Sequence, residues 1–487
     1  MTCAAIPIRL VWTGLLFLLA GALVPGVRAQ QANKYGGPQR GGDDTQVGDP
    51  VAFKSKDGKK KGWKVALPGC RPLATPAVVD GKVFLGAGFG SHEFYAFDAV
   101  TGKKVWQYRT KDDGPTAAVV ADGHVVFNTE SCELEVLTVE GKPVWKKWLG
   151  DPLMSMAAVA GGKVYMAYPN SKGDRKHYLA CFELKTGKDL WKHEIAGEII
   201  TAPVIDNDRV FLATLEGTLY CFKSDGKPAW QEKKNATSAP VVSEGECYFS
   251  CREQTTVKQG GKDVPQQNET LARRGGDPQD KAKEITATSR LADYLDYGKR
   301  RVNSHLESSY QVMDANVGFN GPSKGDAKIG QALNLGQSSV AGVWSYQGSR
   351  PHVAGNHLYS AMGDTLKCVD LKTEKVLWKL DPREKKDKGE LLDAVLTPPA
   401  LVNGKIFLGT AAGEVLCLSA DTGKQLWSAN VGEPIVFQPA VAKGRVYVAT
   451  RAGSLICLET DDEKDDGWVM WGANAAHNGA GGVILAK

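Results

Sequence analysis

Few side chains in this chain are spaced for chemistry, and each such group has a simpler reading. His352 and His357 flank a turn, and no further ligand stands at a spacing that would complete a metal site. The acidic run Asp461-Asp-Glu-Lys-Asp465-Asp466-Gly467 resembles a calcium loop, but its glycine is one place late and the bidentate glutamate is missing, so it reads as a solvated turn. Gly86-Ala-Gly88-Phe-Gly90 joins two strands instead of opening a helix, which removes the dinucleotide reading. No G-x-S-x-G elbow presents a serine nucleophile, and no C-x-x-C-H haem site occurs. No catalytic residue and no metal ligand can be nominated. What remains is a group of polar and charged residues at loop tips: His92, Glu93, Glu130, Asp174, Arg175, His177, Arg252, Glu253 and Arg451.

The elements that must position those loops are set by tryptophans. Ala96-Phe-Asp-Ala-Val-Thr-Gly-Lys-Lys-Val-Trp106 recurs as Cys181-Phe-Glu-Leu-Lys-Thr-Gly-Lys-Asp-Leu-Trp191 and as Cys417-Leu-Ser-Ala-Asp-Thr-Gly-Lys-Gln-Leu-Trp427. Looser copies end at Trp63, Trp145, Trp230 and Trp378, and from Trp63 to Trp230 the interval is 39–46 residues. A period of about 40 is one four-stranded propeller blade. Residues 75–110 show the pattern as TPAVV, KVFLGA, EFYAFDA and KKVWQYRT, with Asp80-Gly81 and Thr101-Gly102 as turns. A tryptophan on the outer strand can lie over the next blade, and burying an indole contributes roughly 2–3 kcal/mol.

The units fall at 75–110, 114–151, 156–197, 201–234, 238–285, 350–382, 397–431 and 437–471. The expected fold is therefore all-β: an eight-bladed propeller of four-stranded antiparallel blades. Gly62 to Leu67 reads as an outer strand with no inner strands before it, so it is expected to close the last blade and remove the open edges of the ring. The competing reading lets Gly467 to Trp471 close blade eight. Residues 30–61 are read as a flexible segment, 62–471 as the propeller and 472–487 as a C-terminal tail.

Arg9, the apolar run Leu10 to Val24 and Val27-Arg28-Ala29 read as a cleaved signal peptide over residues 1–29. The expected product is exported to the periplasm or beyond, with no membrane-spanning segment in the mature chain. The formal charge of +5 falls when Arg9 and Arg28 leave, which gives no case for nucleic acid. Export allows disulfides, yet Cys181, Cys221, Cys368, Cys417 and Cys457 share one third-strand slot that holds Ala96 and Val136 in other blades. Such a slot is a small apolar site, and its occupants stand one blade apart, beyond disulfide reach.

Ala-x-Asp-x-x-Thr-Gly-Lys-x-x-Trp, complete at 96–106, resembles the tryptophan-docking motif of the pyrroloquinoline quinone (PQQ) propeller superfamily, over most of the chain from Trp63 to Trp471. Trp468-Val-Met-Trp471-Gly-Ala-Asn-Ala-Ala-His477-Asn478-Gly479 is similar to a motif near the termini of such proteins. The resemblance implies one of two roles. Quinoprotein dehydrogenases use PQQ with calcium; BamB-like members bind no quinone and serve as scaffolds in outer-membrane assembly. No adjacent Cys-Cys pair is present, as the alcohol-dehydrogenase branch would require, and no lipobox is present, as BamB itself would require. The BamB-like reading is preferred: a monomeric, non-catalytic envelope propeller that binds another envelope protein or an extracellular ligand, with no cofactor. A quinoprotein oxidoreductase and a polymer-binding propeller are the alternatives.

In an up-and-down blade, the loops between second and third strands share a face with the blade-to-blade connections. The long insertions 252–268, read as a loop, and 286–347, read as a short helix with a lid, therefore rise from one face. That face is the expected binding face, with His92, Glu130, Arg175, His177, Arg252, Trp344, Tyr346 and Arg451 on it.

Overall fold

The computed structural model describes residues 46–480, apart from 89, 151–154, 171–175, 198, 200–201, 215, 291–350, 363–364 and 381–395. Every regular element in it is a strand. Seven four-stranded antiparallel sheets and one five-stranded sheet make the eight blades of a propeller. Blades one to seven span 77–109, 119–148, 158–195, 204–233, 241–290, 352–380 and 400–430. Blade eight takes its three inner strands from 440–459 and its fourth, Lys61–Ala66, from the other end of the chain, with Trp63 opposite Cys457. The N-terminal strand therefore closes the ring, and Gly467 to Trp471 does not.

Within each blade the cause is local. The middle strands carry unbroken buried runs, such as Val83–Gly86 and Phe94–Phe97, because both of their faces meet a neighbouring blade. The outer strands alternate with exposed residues.

Six of the seven repeat tryptophans bond the following blade. The indoles of Trp63, Trp106, Trp145, Trp191, Trp230 and Trp378 donate to carbonyls of the following blade: Ala99, Val139, Leu184, Ser224, Gly276 and Ala420, at 2.6–3.2 Å. Trp427 differs. The next blade has no Thr-Gly turn, because its outer strand comes from the N-terminus, and the Lys60 ammonium lies 4.6 Å from the Trp427 ring centre instead. The shared cysteine slot has a plain cause. Ala96, Val136, Cys181, Cys221, Cys368, Cys417 and Cys457 are the cross-strand partners of the seven tryptophans. All nine described cysteines are free thiols, and only Cys70 is exposed.

Three boundaries are corrected. Val51–Lys54, expected to be flexible, is a fifth strand on blade eight, paired with Lys61–Lys64 across a turn that contains Gly58. Residues 252–268 are not a loop but a two-stranded ribbon: Glu246–Gln259 pairs with Lys262–Arg274 without a break around Gly260-Gly261. Both glycines have positive φ, the requirement of a two-residue hairpin turn. The second insertion begins later than 286, because Lys283–Arg290 is the outer strand of blade five. The helix and lid expected beyond it lie outside the described residues, as do Trp344, Tyr346 and the signal peptide.

Candidate functional site

The two faces of the disc are sorted by hydrogen bonds. Blade-to-blade connections bond the loops between second and third strands: Leu73 N to Thr450 O, Gly114 N to Ser91 O, Glu130 N to Asp113 O and Leu149 N to Cys132 O. On the other face, third-strand ends bond first-turn glycines, as Ala99 N to Gly81 O and Ala420 N to Gly404 O. The topological expectation for the two faces therefore holds.

On the connection face, His92 gives its carbonyl to Thr110, and Arg451 donates its amide to Pro434 O. His177 opens the third strand of blade three, opposite Ile195. Arg252 lies in the ribbon opposite Glu269, and Arg175 lies outside the described residues. These positions are spread over separate blades. One of them sits in a cluster: Glu130 meets Asp113 and Asp112 in the seam between blades one and two. Burial, then the charges of Asp113 and Asp112, push the Glu130 carboxyl up to about 8. Asp113 is also raised, by burial and then by Asp112. Asp112 itself is held by the amide and hydroxyl of Ser131, both at 2.8 Å. The carboxyl of Glu135, 1% exposed in the same seam, accepts from Tyr108 at 2.6 Å.

The opposite face holds a cavity. A cleft of about 380 Å³ opens between blades four and five, lined by Asp206, Asp208, Arg209, Glu244, Glu246 and Asp277 among others. Arg209 donates to Gly276 O at 2.6 Å and keeps its charge, but five carboxyl side chains line the same cleft, so the lining is acidic on balance and suited to a cationic group. The acidic run 461–467 holds no loop for a metal ion either: Lys405 Nζ sits among the Asp462 and Asp465 carboxylates at 2.7–3.0 Å, and Asn403 joins them.

The centre of the ring is where sequence reasoning missed most. The segment from Trp468 onward, expected to end the propeller at Trp471 and to continue as a tail over 472–487, runs inside the ring as far as Ala480. Trp468 exchanges backbone bonds with Val441 of blade eight, and Val469 O accepts from Val78 of blade one. Ala475 O then takes Val159 N of blade three, and Ala476 O takes Ile205 N of blade four. Asn478 brackets Val242 of blade five with its side-chain amide, and Ala480 bridges Val353 of blade six. The tail thus follows the inner strands around the channel, bonding most blades in turn. Trp471, 1% exposed, shares an apolar cluster with Ala74, Ala117, Met156, Ala202 and Phe437, which stand just before the inner strands of five different blades. Its indole is therefore shut off from solvent among the entries to five blades. The signal was an aromatic Trp-x-x-Trp followed by Asn474, His477 and Asn478, polar types able to satisfy inner-strand backbone.

Against this geometry, the family model described as outer membrane protein assembly factor BamB matches residues 48–140, 133–294 and 363–483. The chain belongs to that family. Among BamB-family relatives, the assembly factor of Nitrosomonas eutropha is 24% identical over 188 residues, 35% of this chain and 44% of that protein. The dehydrogenase subunit of a quinone alcohol dehydrogenase from Komagataeibacter europaeus is 30% identical over 154 residues, 31% of this chain and only 19% of that protein. The chain therefore matches less than half the length of either. BamB from Moraxella catarrhalis superposes with a TM-score of 0.51 at 15% identity, covering 84% of this chain and 98% of that one. The quinohemoprotein alcohol dehydrogenase ADHIIG from Pseudomonas putida HK5 also gives 0.51, at 13% identity, covering 85% and 76%. At such identities both structures speak to the fold alone.

Trp468, Met470 and Trp471 are buried along the track of the tail.

Proposed function

We propose that the protein is an exported, non-catalytic propeller scaffold of the cell envelope that binds another envelope protein. The observation that carries this reading is the tail inside the channel. With the chain's own tail inside the ring, a partner is left the two faces and the rim. Membership of the BamB family supports the same class. The signal peptide read at 1–29 supplies the export.

The connection face is the docking face in this reading. On that face stands the blade-five ribbon, whose six residue pairs from Gln254↔Gln267 to Gln259↔Lys262, beyond the last pairing with Lys283–Arg290, extend about 20 Å at roughly 3.4 Å per residue. A ribbon of that reach offers a partner the backbone of two paired strands.

The test is to shorten the ribbon at the cross-strand pair Glu253↔Asn268, replacing 254–267 with Gly-Gly, and to capture envelope proteins with both forms. The reading expects a defined partner on the full chain and its loss on the short-ribbon form, with the thermal midpoint unchanged. Equal capture by both forms would move the docking site elsewhere. Saturable PQQ binding would replace the scaffold with the oxidoreductase reading.

A further inference from the structure

We infer that His477 is a protonation-controlled latch that holds the C-terminal plug in the channel. The ring is 1% exposed. Its Nδ1 lies 2.9 Å from the Trp471 carbonyl oxygen, and its Nε2 lies 2.8 Å from the Ala157 carbonyl oxygen. Both contacts are at N–H···O distance, and a carbonyl oxygen can only accept. A neutral imidazole has one N–H, so it satisfies one carbonyl and turns a lone pair on the other. Only the doubly protonated ring donates to both. The Trp471 indole, 4.5 Å away and tilted at 62°, adds an aromatic neighbour for the cation. Two charge-assisted bonds and that indole offset the cost of burying the charge.

The two carbonyls belong to different parts of the molecule. Trp471 is on the plug and Ala157 is on blade three, so the second ring proton ties one to the other. The remaining fasteners do not titrate near neutrality: backbone bonds at Val441, Val78, Val159 and Ile205, and the Asn478 amide on Val242. Two ionisable groups lie along the same track. Asp206 accepts from Asn478 at 3.1 Å, and His352 lies edge-on to Trp468 with ring centres 4.9 Å apart. Because the docked plug binds the proton, docking is strongest at acidic pH. It weakens as pH rises through the histidine range. Release would uncover Trp471 and its apolar seat.

Hydrogen exchange with mass spectrometry on the full chain tests this, from about pH 5.5 to about pH 8.5 and corrected for intrinsic exchange. Peptides covering 468–480 should lose protection as pH rises, and with them the plug-bonded amides of Val159 and Ile205, while peptides from the second and third strands of blades three and four keep theirs. His477→Gln can no longer change charge, so its tail should be less protected and flat in pH. A wild-type tail with flat protection would overturn the inference, as would His477→Gln with the wild-type slope, which would assign the effect to Asp206 or His352. If the variant does not fold, histidine-selective ¹⁵N NMR of the wild type decides directly. Two protonated nitrogens on His477 at pH 6 are expected, and a neutral ring there would sink the latch.

Discussion

Gly102, Gly141, Gly187, Gly226 and Gly423 each lie under the indole of the preceding blade, where an added Cβ would come within 2.5–2.7 Å of a ring atom. Each also has positive φ. The turn and the docking surface therefore require glycine for two separate reasons. Gly187→Ala should lower stability by about 2–4 kcal/mol, more than the roughly 1 kcal/mol of a strained turn alone, because the alanine methyl displaces Trp145. Chemical denaturation of the variant checks this, and a loss confined to the turn cost would remove the docking account. The tryptophans and glycines were legible because the sequence states the same local rule again and again. Glu130 was legible only as a polar loop residue. Its environment is made by Asp112 and Asp113, which come from a connection and not from its own loop. Because Glu130 keeps its proton up to about 8 when folded, against 4.5 ordinarily, the native state holds a proton the unfolded chain has lost. That contribution is complete at acidic pH and disappears as pH rises through about 8. Glu130→Gln should therefore raise stability at pH 8.5, by on the order of 1–2 kcal/mol, and flatten the decline in midpoint between pH 5 and pH 8.5.

At the scale of elements, the seam of blade eight is the place where the ring could open. Lys61–Ala66 is held there by more than its backbone ladder. Lys64 pairs with Glu433, which also accepts from Thr450 at 2.6 Å and Ser454 at 3.1 Å. Burial pushes the Glu433 carboxyl up, but Lys64 and the two hydroxyls outweigh it and hold the group below its ordinary value. Lys64→Met leaves that carboxylate without its cation and should cost about 1–3 kcal/mol, read as a lower denaturant midpoint. The closing strand could be read from sequence because an outer-strand pattern without inner strands needs a home. Lys64 and Glu433 could not, since they stand far apart in the chain and meet only once the ring is closed. The ribbon was misread for a different reason. Thr255-Thr-Val-Lys-Gln-Gly260-Gly261 carries a hairpin signal, but the usual blade length argued for ending the strand near Cys251. Its polar pattern gives no buried face to reveal a strand, so only the double glycine marks it.

For the whole molecule, the repeat count and the closed ring followed from the sequence, whereas the tail inside that ring did not. A plug satisfies partners on six blades, none of which is its neighbour in sequence except blade eight. Trp468, Met470 and Trp471 are each no more than 2% exposed. Burying them contributes roughly 2–3 kcal/mol apiece, so a chain ending at Gly467 should lose about 5 kcal/mol or more and bind a hydrophobic dye that the full chain does not. The same plug carries the proposal of a scaffold over that of a quinone enzyme with the same fold. The most direct test is to titrate PQQ with calcium into the purified mature protein, followed by absorbance and calorimetry. The account predicts no saturable binding at high micromolar PQQ, because the tail already runs inside the ring. One-to-one binding by the full-length mature chain would contradict it, and would mean that the tail yields its place to a cofactor.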